Sequence, residues 1–125
     1  MIKSNVRLNS ALHQAFAYVD SGQIKQALLN VAINAIEAMK LTGGELRIES
    51  RQTSDTVEIL IRDTGNGIPK DKLIHIFDPF YTDKETGAGL GLAITYSIIE
   101  KNNGKIVAAS IPGKGSTFTI SLPCR

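Results

Sequence analysis

Residues 45–63, "ELRIESRQTSDTVEILIRD", carry two alternating runs on either side of a polar interval. Leu46 and Ile48 alternate with Glu45, Arg47 and Glu49, the period of two expected where one face of a strand is buried and the other wet. Arg51–Asp55 is a polar turn. Val57, Ile59 and Ile61 then form the apolar face of a second strand. Two runs this close in sequence pair as an antiparallel hairpin. A second pair lies at residues 105–110 and 116–122, joined by Pro112-Gly113-Lys114-Gly115, with Phe118, Ile120 and Leu122 on one face. Hairpins of this kind build an antiparallel or mixed sheet with one solvated face.

Upstream of the first hairpin, Ile24, Leu28, Val31, Ala35 and Met39 recur at helical spacing. They predict a helix over residues 22–39, with Asp20 and Gln23 as a capping box and Thr42-Gly43-Gly44 as its end. A second helix is predicted over 90–101, stopped by Asn102-Asn103-Gly104. Pro69 opens a short third one. Val6 and Leu8 mark a weak strand, and residues 16–19 another. The order is strands, helix, hairpin, long loop, helix, hairpin. It predicts an α+β fold: a two-layer α/β sandwich with a mixed, mostly antiparallel sheet and helices on one face.

The 125 residues suffice for a single domain. With 42% apolar and 21% charged residues the composition is that of an ordinary globular chain. A formal charge of +2 gives no support to nucleic acid or an anionic membrane as partner. One cysteine, Cys124, excludes an internal disulfide framework and fits a reducing compartment, so a cytoplasmic location is expected for the domain. There is no apolar run of the ~18 residues that span a bilayer, and the first residues lack the apolar core of a secretory leader. His13 and His75 have no metal-ligand cluster around them.

Asn30, Asn34 and Glu37 fall at steps of four and seven, so they share one face of the first helix. Either this is a solvent-facing strip or its oxygens face a polar ligand. An Asn carbonyl oxygen suits Mg²⁺, which takes few protein ligands and keeps several waters. Asp63 has the parity of Val57, Ile59 and Ile61, an expensive place for a carboxylate. It either opens an Asx-type turn or is a recessed acceptor for a ligand donor, with Gly65 and Gly67 allowing close backbone approach. The long loop 68–88 reads as a lid, anchored by Phe77 and Phe80 and carrying Lys84 as a mobile cation or a solvated side chain. In Thr86-Gly87-Ala88-Gly89-Leu90-Gly91-Leu92-Ala93-Ile94, Leu92 and Ile94 stand where a dinucleotide fingerprint needs Gly or Ala, and no strand precedes it. A phosphate loop with Gly-Lys-Ser/Thr is also absent, since Gly113-Lys114-Gly115-Ser116 is a hairpin turn. Glycines feeding a helix N-terminus remain, an arrangement that favours an anion.

In order, these motifs resemble those of the catalytic ATP-binding domain of bacterial sensor histidine kinases, in the gyrase, Hsp90, histidine kinase and MutL superfamily. Asn30-Val31-Ala32-Ile33-Asn34-Ala35 resembles the N box and Asp63-Thr64-Gly65-Asn66-Gly67 the first glycine box. Phe77-Asp78-Pro79-Phe80 is similar to the F box. Gly87-Ala88-Gly89-Leu90-Gly91-Leu92 and Gly113-Lys114-Gly115-Ser116-Thr117-Phe118 resemble the last two glycine boxes. "NAIEAM" at 34–39 and "TDKETGAGLGL" at 82–92 look closest to nitrogen-regulation and sporulation-type kinases.

The resemblance implies a Bergerat-type ATP-binding fold with ATP and Mg²⁺ as ligands. It implies that Asn34 holds Mg²⁺ with support from Asn30. Asp63 would accept from the adenine amino group with Thr117 nearby, and Gly65 and Gly67 would make room for the base. Gly87, Gly89, Leu90 and Gly91 would meet the phosphates, and Lys84 would reach them from the lid. The hydrolysing members carry a Glu where Asn30 stands, so transfer to a protein histidine is implied rather than hydrolysis. A hydrolysing ATPase and a non-catalytic nucleotide-binding or docking module are the alternatives. The implied partners are a separate dimerisation and phosphoacceptor domain and, indirectly, a response regulator. No phosphoacceptor histidine is recognisable. The chain is therefore expected to be an excised fragment, residues 1–125, lacking the first helix and the phosphoacceptor domain, monomeric while its parent is a homodimer. Ala88 departs from the pattern, where Thr is usual.

Overall fold

The computed structural model describes residues 6–11, 21–40, 43–78 and 91–123. Their order is β1 (Val6–Ala11), α1 (Ser21–Ala38), β2 (Gly44–Gln52), β3 (Thr56–Asp63), α2 (Lys70–Leu73), α3 (Gly91–Lys101), β4 (Lys105–Ile111) and β5 (Gly115–Pro123). The strand expected at residues 16–19 and the cap Asp20 lie outside the described residues.

The strands form one five-stranded sheet in the order β1-β2-β3-β5-β4. β1 runs parallel to β2, while β2–β3, β3–β5 and β4–β5 are antiparallel, so the sheet is mixed and mostly antiparallel as expected. Both hairpins form. Thr53 and Thr56 close the β2–β3 turn through a 2.8 Å backbone bond and a 2.8 Å contact between their hydroxyls.

Strand parity divides the sheet into a dry face and a wet one. Leu46, Ile61, Phe118, Ile120 and Leu122 are buried on the helix side. On the other face charged side chains pair with one another, Arg51 with Glu58 across β2–β3 at 2.6 Å and Arg47 with Glu49 at 3.1 Å. Helix α1 presses Ile24, Ala27, Val31 and Ala35 into the same core, with Met39 just beyond its end. The alanines, at 0% and 1% exposure, keep the helix close to its neighbours. The rest of α1 is less enclosed than the apolar sequence suggested: Leu29, Ile33 and Ile36 are exposed.

Helix α3 ends in a left-handed turn at Asn103, φ 60°. There Asn103 N–H bonds the Glu100 carbonyl at 3.0 Å and Gly104 N–H the Ile99 carbonyl at 2.8 Å, satisfying carbonyls left open at a helix end. Asn102 links the helices by donating to the Gln23 side-chain oxygen at 3.0 Å. Phe77 packs edge-on against Phe118, 6.3 Å between ring centres, and lies 5.5 Å from Tyr96. The start of the long loop is thus fastened to the core.

Candidate functional site

The polar stripe of α1 meets the start of α3 at Asn30. Asn30 and Asn34 are half-buried, whereas Glu37 is exposed. The Asn30 amide donates to the Gly91 carbonyl at 3.3 Å, and the Thr95 hydroxyl donates to the same oxygen at 2.9 Å. A carbonyl only accepts, so the Asn30 nitrogen must be the atom turned toward Gly91. This fixes the flip of the amide and moors α1 to the first residue of α3. Thr95 is fully buried behind that contact.

Asp63, the last residue of β3, is 6% exposed on the helix side of the sheet, as parity predicted. Its carboxylate accepts from Gly65 N–H at 2.9 Å. Burial raises its pKa above the ordinary 3.8, and the backbone N–H groups of Gly65 and Ser116 pull it part of the way back. A proton-accepting group held dry in this way is suited to a ligand donor and poorly suited to standing alone.

The glycines after Asp63 are required by the protein itself. A Cβ on Gly65 would lie 2.8 Å from the Ala38 carbonyl at the end of α1 and 3.0 Å from the Asp63 carboxylate. Gly67 has φ +75°, and a Cβ there would collide with the Ile111 carbonyl. Gly113 N–H donates to the Asn66 carbonyl at 2.6 Å, closing the β4–β5 turn onto this loop. The first glycine loop is therefore clamped between α1 and the last hairpin, which fixes where Asp63 points.

Thr117 lies next to the residue that pairs with Asp63. It pairs with Arg62, whereas Asp63 pairs with Ser116. Successive strand residues face opposite sides, so the Thr117 side chain belongs to the wet face. The hydroxyl beside Asp63 is that of Ser116, 7% exposed. A depression of about 370 Å³ opens near these strand ends, and its lining includes Glu45, Arg47, Arg62, Asp63, Ser116 and Thr117. Its described lining contains no residue of α1 or α3, so it is separate from the asparagine-lined site.

A Cβ on Gly91 would meet nothing within 4 Å among the described residues. Lys84, Gly87, Ala88, Gly89 and Leu90 lie outside the described residues, as does Phe80. Among the described residues no group of three or more His, Cys, Asp or Glu side chains could hold a metal. His75 sits exposed with Nδ1 2.9 Å from the Asp78 carboxylate.

Residues 19–125 match the family described as histidine kinase-, DNA gyrase B-, and HSP90-like ATPase. The chain belongs to this family. It is 47% identical over 105 residues to the signal transduction histidine-protein kinase AtoS of Escherichia coli (strain K12), an alignment covering 83% of this chain and 17% of AtoS. It is 43% identical over 109 residues to sporulation kinase E of Bacillus subtilis (strain 168), covering 86% and 15% respectively. The ATPase domain therefore spans less than a fifth of the length of these two relatives. The catalytic domain of histidine kinase ThkA superposes with a TM-score of 0.84 at 32% identity, over 96% of this chain and 80% of that one.

In this ATPase domain the sequence had marked Asn30, Asn34, Asp63, Gly65, Gly67 and Gly91, and the fold brings Asn30 to Gly91 and Gly65 to Asp63. It had not marked Ser110 or Ser116. The parity of Phe118, Ile120 and Leu122 already points Ser116 inward, since it lies two residues before Phe118 on β5.

Proposed function

We propose that this domain binds Mg-ATP and transfers the γ-phosphoryl group to a histidine on a separate dimerisation and phosphoacceptor domain. The ATP-binding part follows from the family. The carrying observation for transfer over hydrolysis is Asn30. It stands where the hydrolysing relatives in the resemblance carry Glu, its side chain is an amide, and its nitrogen is committed to the Gly91 carbonyl. An amide is a poor general base, so no described group at that position activates water.

The residues fit the ligand. Asp63 and Ser116 offer a buried acceptor and a hydroxyl to the adenine edge. Asn34, half-buried one helical turn after Asn30, supplies an oxygen of the kind Mg²⁺ accepts, and a cation with few protein ligands needs no acidic cluster. Mg²⁺, when bound, neutralises charge on the phosphate oxygens. The chain's own contribution is positioning. Gly91, with Gly87, Gly89 and Leu90, offers backbone amides to the phosphates, and Lys84 adds a positive charge. Phosphoryl transfer needs little else, because its barrier is lowered mainly by alignment and electrostatics.

The names of the relatives, a signal transduction histidine-protein kinase and a sporulation kinase, support a histidine-kinase parent, and the proposal extends to a homodimer that feeds a response regulator. No helix among the described residues is long and apolar enough to cross a membrane. The test is incubation with γ-labelled ATP and the parent's phosphoacceptor domain. The expected result is acid-labile label on that domain. Release of free phosphate faster than transfer would replace this reading with a hydrolase.

A further inference from the structure

Three side chains stand in a row on the helix side of the sheet. Asp63 on β3 is paired with Ser116 on β5, and Ser116 with Ser110 on β4. The Ser110 hydroxyl has three neighbours. It accepts from Ile68 N–H at 2.6 Å, donates to the Gly115 carbonyl at 2.9 Å, and lies 3.0 Å from the Ser116 hydroxyl.

A serine hydroxyl carries one proton. The Ile68 N–H can only donate and the Gly115 carbonyl can only accept, so the proton of Ser110 goes to Gly115. For the third contact to be a hydrogen bond, Ser116 must be its donor. The Ser116 proton is then turned toward Ser110, and its oxygen presents lone pairs to whatever lies beside Asp63. Asp63, ionised, is also an acceptor. Asp63 and the Ser116 hydroxyl therefore present acceptors only, a pattern that matches an amino group and opposes a carbonyl at the same place.

We propose that Ser110 is a specificity-positioning residue: by orienting the Ser116 proton it makes the base site prefer a 6-amino purine over a 6-oxo purine. The proposal rests on the reading of Asp63 and Ser116 as the adenine site. With Ser110 removed, the Ser116 hydroxyl is free to rotate and donate to a carbonyl, while Asp63 is untouched.

ATP and inosine triphosphate, which differ by this amino-to-oxo exchange and by the proton that inosine carries on N1, separate the effects through the change that each variant makes in their ratio. Dissociation constants are measured by calorimetry for the wild-type chain, Ser110→Ala and Ser110→Thr, with thermal melts as the folding control. Ser110→Ala is expected to narrow the ratio of the two constants about fivefold, the scale of one neutral hydrogen bond, and Ser110→Thr to restore it. A merely structural serine would weaken both nucleotides equally, and an unchanged ratio overturns the proposal. If Ser110→Ala does not fold, Ser116→Ala reads the same step and should also narrow the ratio; an unaltered ratio there overturns it as well. In a Ser116→Ala background, adding Ser110→Ala should change the ratio no further. Wild-type protein that binds neither nucleotide overturns the adenine reading itself, a different failure from binding both with a ratio that Ser110 does not control.

Discussion

Replacing Asp63 by asparagine preserves shape and exchanges one carboxylate oxygen for an amide nitrogen. Two opposing effects follow. Asp63 is 6% exposed, and burial already works against its charge. The neutral amide removes that penalty, a gain that opposes the loss of one of the two backbone N–H bonds, from Gly65 and Ser116, that the carboxylate accepts. The ligand side is different. Asparagine has one oxygen, and if that oxygen keeps the 2.9 Å bond from Gly65 N–H, the nitrogen presents a donor where the adenine amino group also donates. Losing a hydrogen bond to a charged acceptor costs about 1.5–3 kcal/mol. At about 1.4 kcal/mol per tenfold, the dissociation constant for ATP should rise roughly 10- to 150-fold. The assay is a calorimetric titration with ATP and Mg²⁺, beside a thermal melt without nucleotide. Weaker binding with a melting temperature little changed is expected. Unchanged affinity would falsify the placement of Asp63 at the base. A large loss of stability accompanying the weaker binding would show instead that the carboxylate acts as a structural brace for the loop.

The raised pKa of Asp63 carries a pH dependence of its own. The native carboxyl takes up a proton at higher pH than the unfolded 3.8, so within that window the native state binds more protons. Its contribution to stability therefore falls as pH rises through the window and levels off above it. Urea unfolding at a series of pH values should show this slope in the wild type and lose it in Asp63→Asn. ATP affinity should run the other way, declining on acidification before the pH of an ordinary aspartate is reached. Asn34→Ala should remove the Mg²⁺-dependent part of ATP affinity; a magnesium titration identical to wild type would take Asn34 out of the metal site. Gly65→Ala places a methyl 2.8 Å from the Ala38 carbonyl, and about 1–3 kcal/mol of stability should be lost as the loop moves. Denaturant midpoints matching wild type would show that the clamp gives way freely. Phe118→Ala, at a residue 1% exposed, should cost about 3–5 kcal/mol, a large share of a typical total of about 5–15 kcal/mol. A loss under about 1 kcal/mol in urea unfolding would mean that the core closes over the gap.

Much of the fold was legible because strand parity and helix periodicity are local. Leu46 and Ile61 fixed the dry face, and Asp63 inherited its burial from them. The β3–β5 pairing was not legible, because nothing near either strand says that the second hairpin docks beside the first rather than at β1. The parallel β1–β2 pair was hidden for the same reason. The asparagine stripe was visible as a pattern, but its partner was not: Gly91 lies 61 residues along the chain, and only the packing of α1 on α3 joins them. The last glycine box offers two neighbouring hydroxyls, Ser116 and Thr117. The family pattern suggested a hydroxyl in that box, whereas the alternation counted back from Phe118 selects Ser116. Leu29, Ile33 and Ile36 show the limit of composition, since an apolar side chain on a helix need not be an interior one.

The β2–β3 turn has a practical use. β3 is eight residues long, and at about 3.3 Å per residue the turn at Thr53–Asp55 stands about 25 Å from Asp63. Ser54 and Asp55 are exposed there, at the far end of a rigid spacer from the chemistry. A fluorophore or an immobilising tether attached at this turn would hold the domain by the end of β3 opposite Asp63, away from the base site.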